Sequence, residues 1–197
     1  MVLLQGQIHG DAPAALLTRA NDIVQQISQH NQAVQAMLTR DDIVLLILVQ
    51  PGEGDQETRV KCTGNNRTGI TITLFIEDGS GDEVLTEALL HELVLHGEPA
   101  TNKHLAAVAN NQTPEYPDSD DGDAIEAEEQ EEHEDESAWY RVADIALQFD
   151  NQTFEKAIFD ASSHDKDIAV KVLNDLVQAN RITQEHAEEL EEVMSED

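Results

Sequence analysis

Two imidazoles and a carboxylate stand inside an apolar run at Leu89-Leu90-His91-Glu92-Leu93-Val94-Leu95-His96. Neutral imidazoles bind zinc, and a carboxylate beside them can take a proton from a metal-bound water; these are the groups zinc-dependent hydrolysis needs. The spacing is His-Glu-x-x-x-His, one residue longer than the usual zinc-protease signature. On a regular helix, at about 100° per residue, positions i and i+4 share a face, whereas i and i+5 lie about 140° apart. His91 and His96 therefore converge on one ion only where the helix takes up a residue, for example in a π-bulge. The competing reading is a buried helix with one histidine in the core and the other facing solvent near a C-terminus, where a cation is favoured.

The elements that must position this run are legible on either side of it. Residues 11–38 predict one long helix. Asp11 caps it, Pro13 suits its first turn, and Leu16, Leu17, Ile23, Val24, Ile27, Val34 and Leu38 recur at helical spacing. Residues 43–49 form an almost unbroken apolar run, the pattern of a strand buried on both faces. Residues 58–63 and 70–77 alternate as strands, and the turn chemistry of 64–69 joins them into a hairpin. The helix carrying His91 starts near Asp82 and is expected to end at Gly97 and Pro99. The expected class is α+β: an N-terminal helix, a small mixed three-stranded sheet with a hairpin, the His-Glu-x-x-x-His helix, an acidic loop and C-terminal helices.

In element order, residues 10–105 resemble the core of the zincin metallopeptidases. The run from His91 to His96 is similar to the first motif of the dipeptidyl-peptidase III family. That resemblance implies that His91 and His96 bind Zn²⁺, that Glu92 is the base, and that a downstream Glu completes the site. Leu95 stands where the family's motif has glycine, and the chain carries no clean copy of its second motif. Among this chain's own residues, His133 is the preferred third ligand, because the carboxylates around it would orient the ring and raise its basicity. Glu98, His104 and Glu134 compete for the role. Otherwise His104 reads as a surface residue on a short helix or turn over 101–111. His9, His30, His164 and His186 read as ordinary polar positions, and Cys62 as a small hydrophobe in a strand.

Residues 113–136 break the pattern. They hold thirteen of the 41 acidic residues and none of the 11 basic ones, the composition of a disordered or weakly helical acidic loop. The window 118–123 resembles the start of a calcium loop, but its far Glu is at the wrong offset. Helical periodicity returns with Trp139, Val142, Ile145, Ala146 and Phe149, followed by helices expected over 153–159, 165–179 and 183–194. The organisation read from this is a core over 1–112, an acidic loop over 113–136 and a helical region over 137–197. The last two helices form a hairpin that can stand as a separate module.

A formal net charge of −30 over 197 residues argues against nucleic acid or an anionic membrane as a partner. It fits high solubility, a basic protein partner or a high-salt environment. A single cysteine excludes an internal disulfide. No signal peptide or membrane span is apparent, so the expected place of synthesis is the cytoplasm, with signal-independent export left open. The expected function is a zinc-dependent hydrolase, a metallopeptidase acting on peptide or protein, of a kind that suits a delivered effector or toxin. The alternatives are a non-catalytic acidic protein engaging a basic partner through 113–136, and a structural zinc site without turnover.

Overall fold

A computed structural model describes residues 14–50, 60–65, 69–77, 81–112 and 136–196, with residues 14, 44–50, 60–65, 69–77 and 196 described by backbone alone. The chain divides into two units, Met1–His133 and Glu134–Asp197. Asp11, Pro13 and the acidic segment up to residue 135 lie outside the described residues, as does the calcium-like window.

In the first unit, α1 (Ala14–His30) buries Leu16, Ala20, Ile23, Val24 and Ile27, a stripe at spacings of three and four. The single helix expected over 11–38 is interrupted. Asn31 leaves the helical region (φ −133°, ψ 117°), and its Oδ1 accepts hydrogen bonds from the Ala33 and Val34 N–H groups at 2.9 and 3.0 Å. These bonds cap α2 (Gln32–Thr39), which buries Ala33, Val34 and Met37. Periodicity passes over the break because apolar spacing resumes beyond it; the asparagine side chain, which competes for backbone donors, makes the break.

The backbone from Ile43 to Glu77 draws three strands, β1 (Ile43–Gln50), β2 (Val60–Asn65) and β3 (Gly69–Glu77), in the order β1-β3-β2. β1 runs parallel to β3 with Ile43 opposite Ile70, and β2 runs antiparallel to β3 with Val60 opposite Leu74. The expected α+β class nevertheless needs correction. Of the residues described to their side chains, 84% are helical, and the core they build contains no sheet. Ile43 alone among the described core residues lies outside a helix. The described residues are mainly helical: the apolar run over 43–49 and the alternation over 58–63 and 70–77 set local backbone conformation, while the described core rests on helix-to-helix packing.

After β3 comes one long helical run: α3 (Asp82–Leu90), a π-helical segment (His91–Gly97) and α4 (Glu98–Ala109). The stop expected at Gly97 and Pro99 does not occur. Gly97 keeps right-handed helical backbone (φ −71°, ψ −36°), and Pro99 sits in the first turn of α4. A proline there costs little, because first-turn N–H groups have no helical acceptor to lose, and the preceding change of register supplies that first turn. The run stops at Asn111, whose φ of 52° is left-handed, where Gln112 N–H donates to the Ala107 carbonyl at 2.9 Å. α2 packs against α1, α4, β1 and the π-segment; α3 packs against α1; and β2 runs beside the π-segment.

The second unit consists of α5 (Glu136–Ala146), α6 (Asn151–His164), α7 (Lys166–Gln178) and α8 (Gln184–Glu196). Its core centres on Trp139, Phe154, Ile158 and Leu173, each at most 1% exposed. Burying side chains of this size stabilises a fold by about 1.5–3 kcal/mol apiece. Asp150 and Asp165 cap α6 and α7 through bonds of 2.8 Å from Thr153 N–H and Asp167 N–H. Thr183 Oγ1 accepts from His186 N–H at 3.2 Å at the start of α8. Among the described residues, no helix is long and apolar enough to cross a membrane.

Candidate metal-binding turn

The π-segment, His91–Gly97, covers all six residues of the motif. α3 delivers His91 on a helix anchored by Leu85, Leu89 and Leu90, all buried. Within the segment Leu93, Val94 and Leu95 are also buried, so the turn is apolar on its inner side. A helix bonded from i to i+5 turns by roughly 80–85° per residue, so five residues make slightly more than one full turn. Positions 91 and 96, divergent on an α-helix, are thereby stacked. The Nε2 atoms of His91 and His96 stand 3.3 Å apart, with ring centroids at 5.2 Å and planes tilted by 49°. As it stands the contact is a hydrogen bond, one ring's N–H donating to the other's lone pair.

The same distance suits a metal. Two imidazole nitrogens bound tetrahedrally to one zinc at 2.0–2.1 Å lie about 3.3–3.4 Å from each other. His91 is half-buried and His96 exposed, leaving one side of the pair open to solvent. Glu92, between them in sequence, is only 3% exposed. The donor set therefore fits two of the ligands of a zinc site, with a carboxylate on the same turn.

The other expected ligands fare differently. His133 and Glu134 lie outside the described residues. Glu98 accepts a hydrogen bond from Asn31 Nδ2 at its Oε2, 2.7 Å away, which ties it to the start of α2. His104, expected at the surface, is 2% exposed, and its Nε2 lies 2.9 Å from Asp42 Oδ2. It is buried because 98–109 is a full helix with one face turned inward, where the sequence reading had only a short helix or turn. Among the described residues of the first unit, no third His, Cys, Asp or Glu joins both imidazoles at ligand distance.

Sequence reasoning missed the groups that hold this turn. Arg40 grips Asp42 with two hydrogen bonds, from Nε to Oδ1 at 2.7 Å and from Nη2 to Oδ2 at 2.6 Å. These bonds from Arg40, with a further one from His104, hold the Asp42 carboxyl well below the usual carboxylate range despite partial burial. Gly97 marks a close approach. A Cβ there would meet Met37 Cε at 3.0 Å and the Glu92 carbonyl oxygen at 3.3 Å. An Asn shortly before the apolar helix formers Ala33 and Val34 was the available signal for Asn31, hidden among Ser28, Gln29, His30 and Gln32. No family model, no curated protein and no solved structure matches the chain.

Proposed function

We propose that the chain is a zinc-dependent hydrolase, acting on a peptide bond, with His91 and His96 as metal ligands and Glu92 as general base. The observation that carries this reading is the 3.3 Å approach of two Nε2 atoms, brought about by a π-segment covering His91–Gly97. A π-helix is rare and costs stability relative to an α-helix, and such segments gather at functional sites. The reading rests on the turn and its donors, and owes nothing to the fold class. His133 is the proposed third ligand.

Zinc bound there would supply a Lewis acid that brings the acidity of a water molecule close to neutral pH. His91 and His96 would hold it through neutral Nε2 lone pairs, with each ring's proton on Nδ1. Glu92 takes the proton from the attacking water and returns it to the leaving amine. Its burial, at 3% exposed, keeps bulk water from competing for that proton.

Metal analysis of purified protein tests the reading. About one zinc per chain is expected, removable by a chelator, with His91→Ala losing it. Glu92→Gln should keep the zinc and lower peptide hydrolysis about 10²–10⁴-fold. Protein that takes up no zinc when supplied with it, or a Glu92→Gln variant as active as the parent, would overturn the proposal.

A further inference from the structure

The hydrogen bond from Asn31 to Glu98 has a geometry that reaches the imidazole pair, and this inference rests on the zinc reading above. A π-segment relaxes to the more stable α-register unless the helix is held on both sides of it. On the N-terminal side, α3 is held through Leu85, Leu89 and Leu90, buried to at least 99%. On the C-terminal side the first residue past the segment is Glu98, and Asn31 Nδ2 holds its Oε2 at 2.7 Å. Relaxation would rotate Glu98 by about 100° about the helix axis relative to α3, away from that donor. The contact between Met37 and Gly97 braces the same point, and the bond from His104 to Asp42 braces α4 further on.

The geometry points to Asn31 as a positioning residue that, through Glu98, locks the π-register and so sets the distance between the His91 and His96 nitrogens. Asn31 plays two separable parts. Its Oδ1 caps α2, and its Nδ2 reaches Glu98. A purely structural cap needs only the first. Glu98 thereby acts as a strut for the turn, two residues from His96 but facing α2.

The separation of parts supplies the test, done on the full chain with two readouts. One is zinc affinity by competition with a chromophoric chelator. The other, independent of metal, is the nuclear Overhauser effect between the His91 and His96 rings. Asn31→Ser keeps a capping oxygen and lacks the donor; its melting temperature should stay within a few degrees of the parent. It should weaken zinc binding about tenfold, the scale seen for outer-shell partners of metal ligands, and weaken the ring-to-ring effect. Asn31→Asp keeps the cap but opposes the Glu98 carboxylate, and should do at least as much damage. Combining Asn31→Asp with Glu98→Gln reverses donor and acceptor, and should restore both readouts to within about threefold.

A folded Asn31→Ser protein with parental zinc affinity and an undiminished ring-to-ring effect would overturn the inference. So would failure of the double variant to recover while the protein remains folded. A parent chain that binds no zinc would instead sink the hydrolase reading, and the ring-to-ring effect would still decide the role of Asn31.

Discussion

At the scale of single residues, the Asp42 carboxylate shows how a short charged cluster becomes structural. Arg40 and Asp42 lie two apart, and nothing in their spacing names His104, sixty-two residues later. Removing the carboxylate with Asp42→Ala should cost about 1 kcal/mol for the lost hydrogen bonds. Asp42→Asn, which keeps an acceptor, should cost less. The pH dependence has a definite sign. The folded carboxyl ionises well below its ordinary value near 3.9. Between the two values the unfolded chain binds the extra proton, so this group's contribution is present above about pH 4 and is lost as the pH falls below it. Urea unfolding from pH 7 to pH 3 should therefore narrow the stability gap between parent and Asp42→Asn, the remainder going only as the pH falls further toward the folded value. A gap that stays constant or widens would show that Asp42 is not the group concerned. His91, Glu92 and His96 were legible as a chemical set from their types alone, whereas His104 and Asn31 carry ordinary types and take on meaning only from what they face.

At the scale of elements, helical periodicity was informative and punctuation was not. Residues 82–109 form one helical run because Pro99 falls where a change of register supplies a first turn, so a usual stop signal becomes a tolerated position. The opposite happened at Asn31, where a continuous apolar stripe concealed a cap. The class was misjudged for a related reason: the apolar run over 43–49 and the alternation over 58–63 and 70–77 speak for local strands, but the described core is assembled by helices on both sides of them. Gly97 offers a test of how tightly the elements meet. Alanine gains up to about 1 kcal/mol in helix propensity over glycine, yet its Cβ would stand 3.0 Å from Met37 Cε and 3.3 Å from a backbone oxygen. Overpacking of that kind costs about 1–3 kcal/mol, so Gly97→Ala should be destabilising overall. The cost should shrink by at least about 0.5 kcal/mol in a Met37→Ala background, measured as a double-mutant cycle. Additive effects would mean that Met37 is not what limits the space.

At the scale of the whole molecule, charge is the dominant fact and also the least specific. With 41 acidic and 11 basic residues, repulsion works against the folded state wherever carboxylates crowd. Some of that crowding lies within regular structure. α8 carries Glu185, Glu188, Glu189, Glu191, Glu192 and Glu196 with no Lys or Arg, so its exposed face is lined with like charges three and four residues apart. Such pairs cost about 0.2–0.5 kcal/mol each at low ionic strength, and salt screens them over about 10 Å at 0.1 M. Raising NaCl from 10 mM to 0.5 M should therefore raise the melting temperature. Glu189→Lys localises the effect, because position 189 lies four residues after Glu185 and three before Glu192, both exposed. The substitution turns two repulsive pairs into two attractive ones, a gain of about 0.8–2 kcal/mol at 10 mM salt. In 0.5 M salt most of that gain should vanish, since a surface pair of this kind is largely screened. A gain that persists unchanged at high salt would have to come from helix propensity or packing instead. A melting temperature insensitive to salt in the parent would show that carboxylate crowding does not limit the stability of this fold.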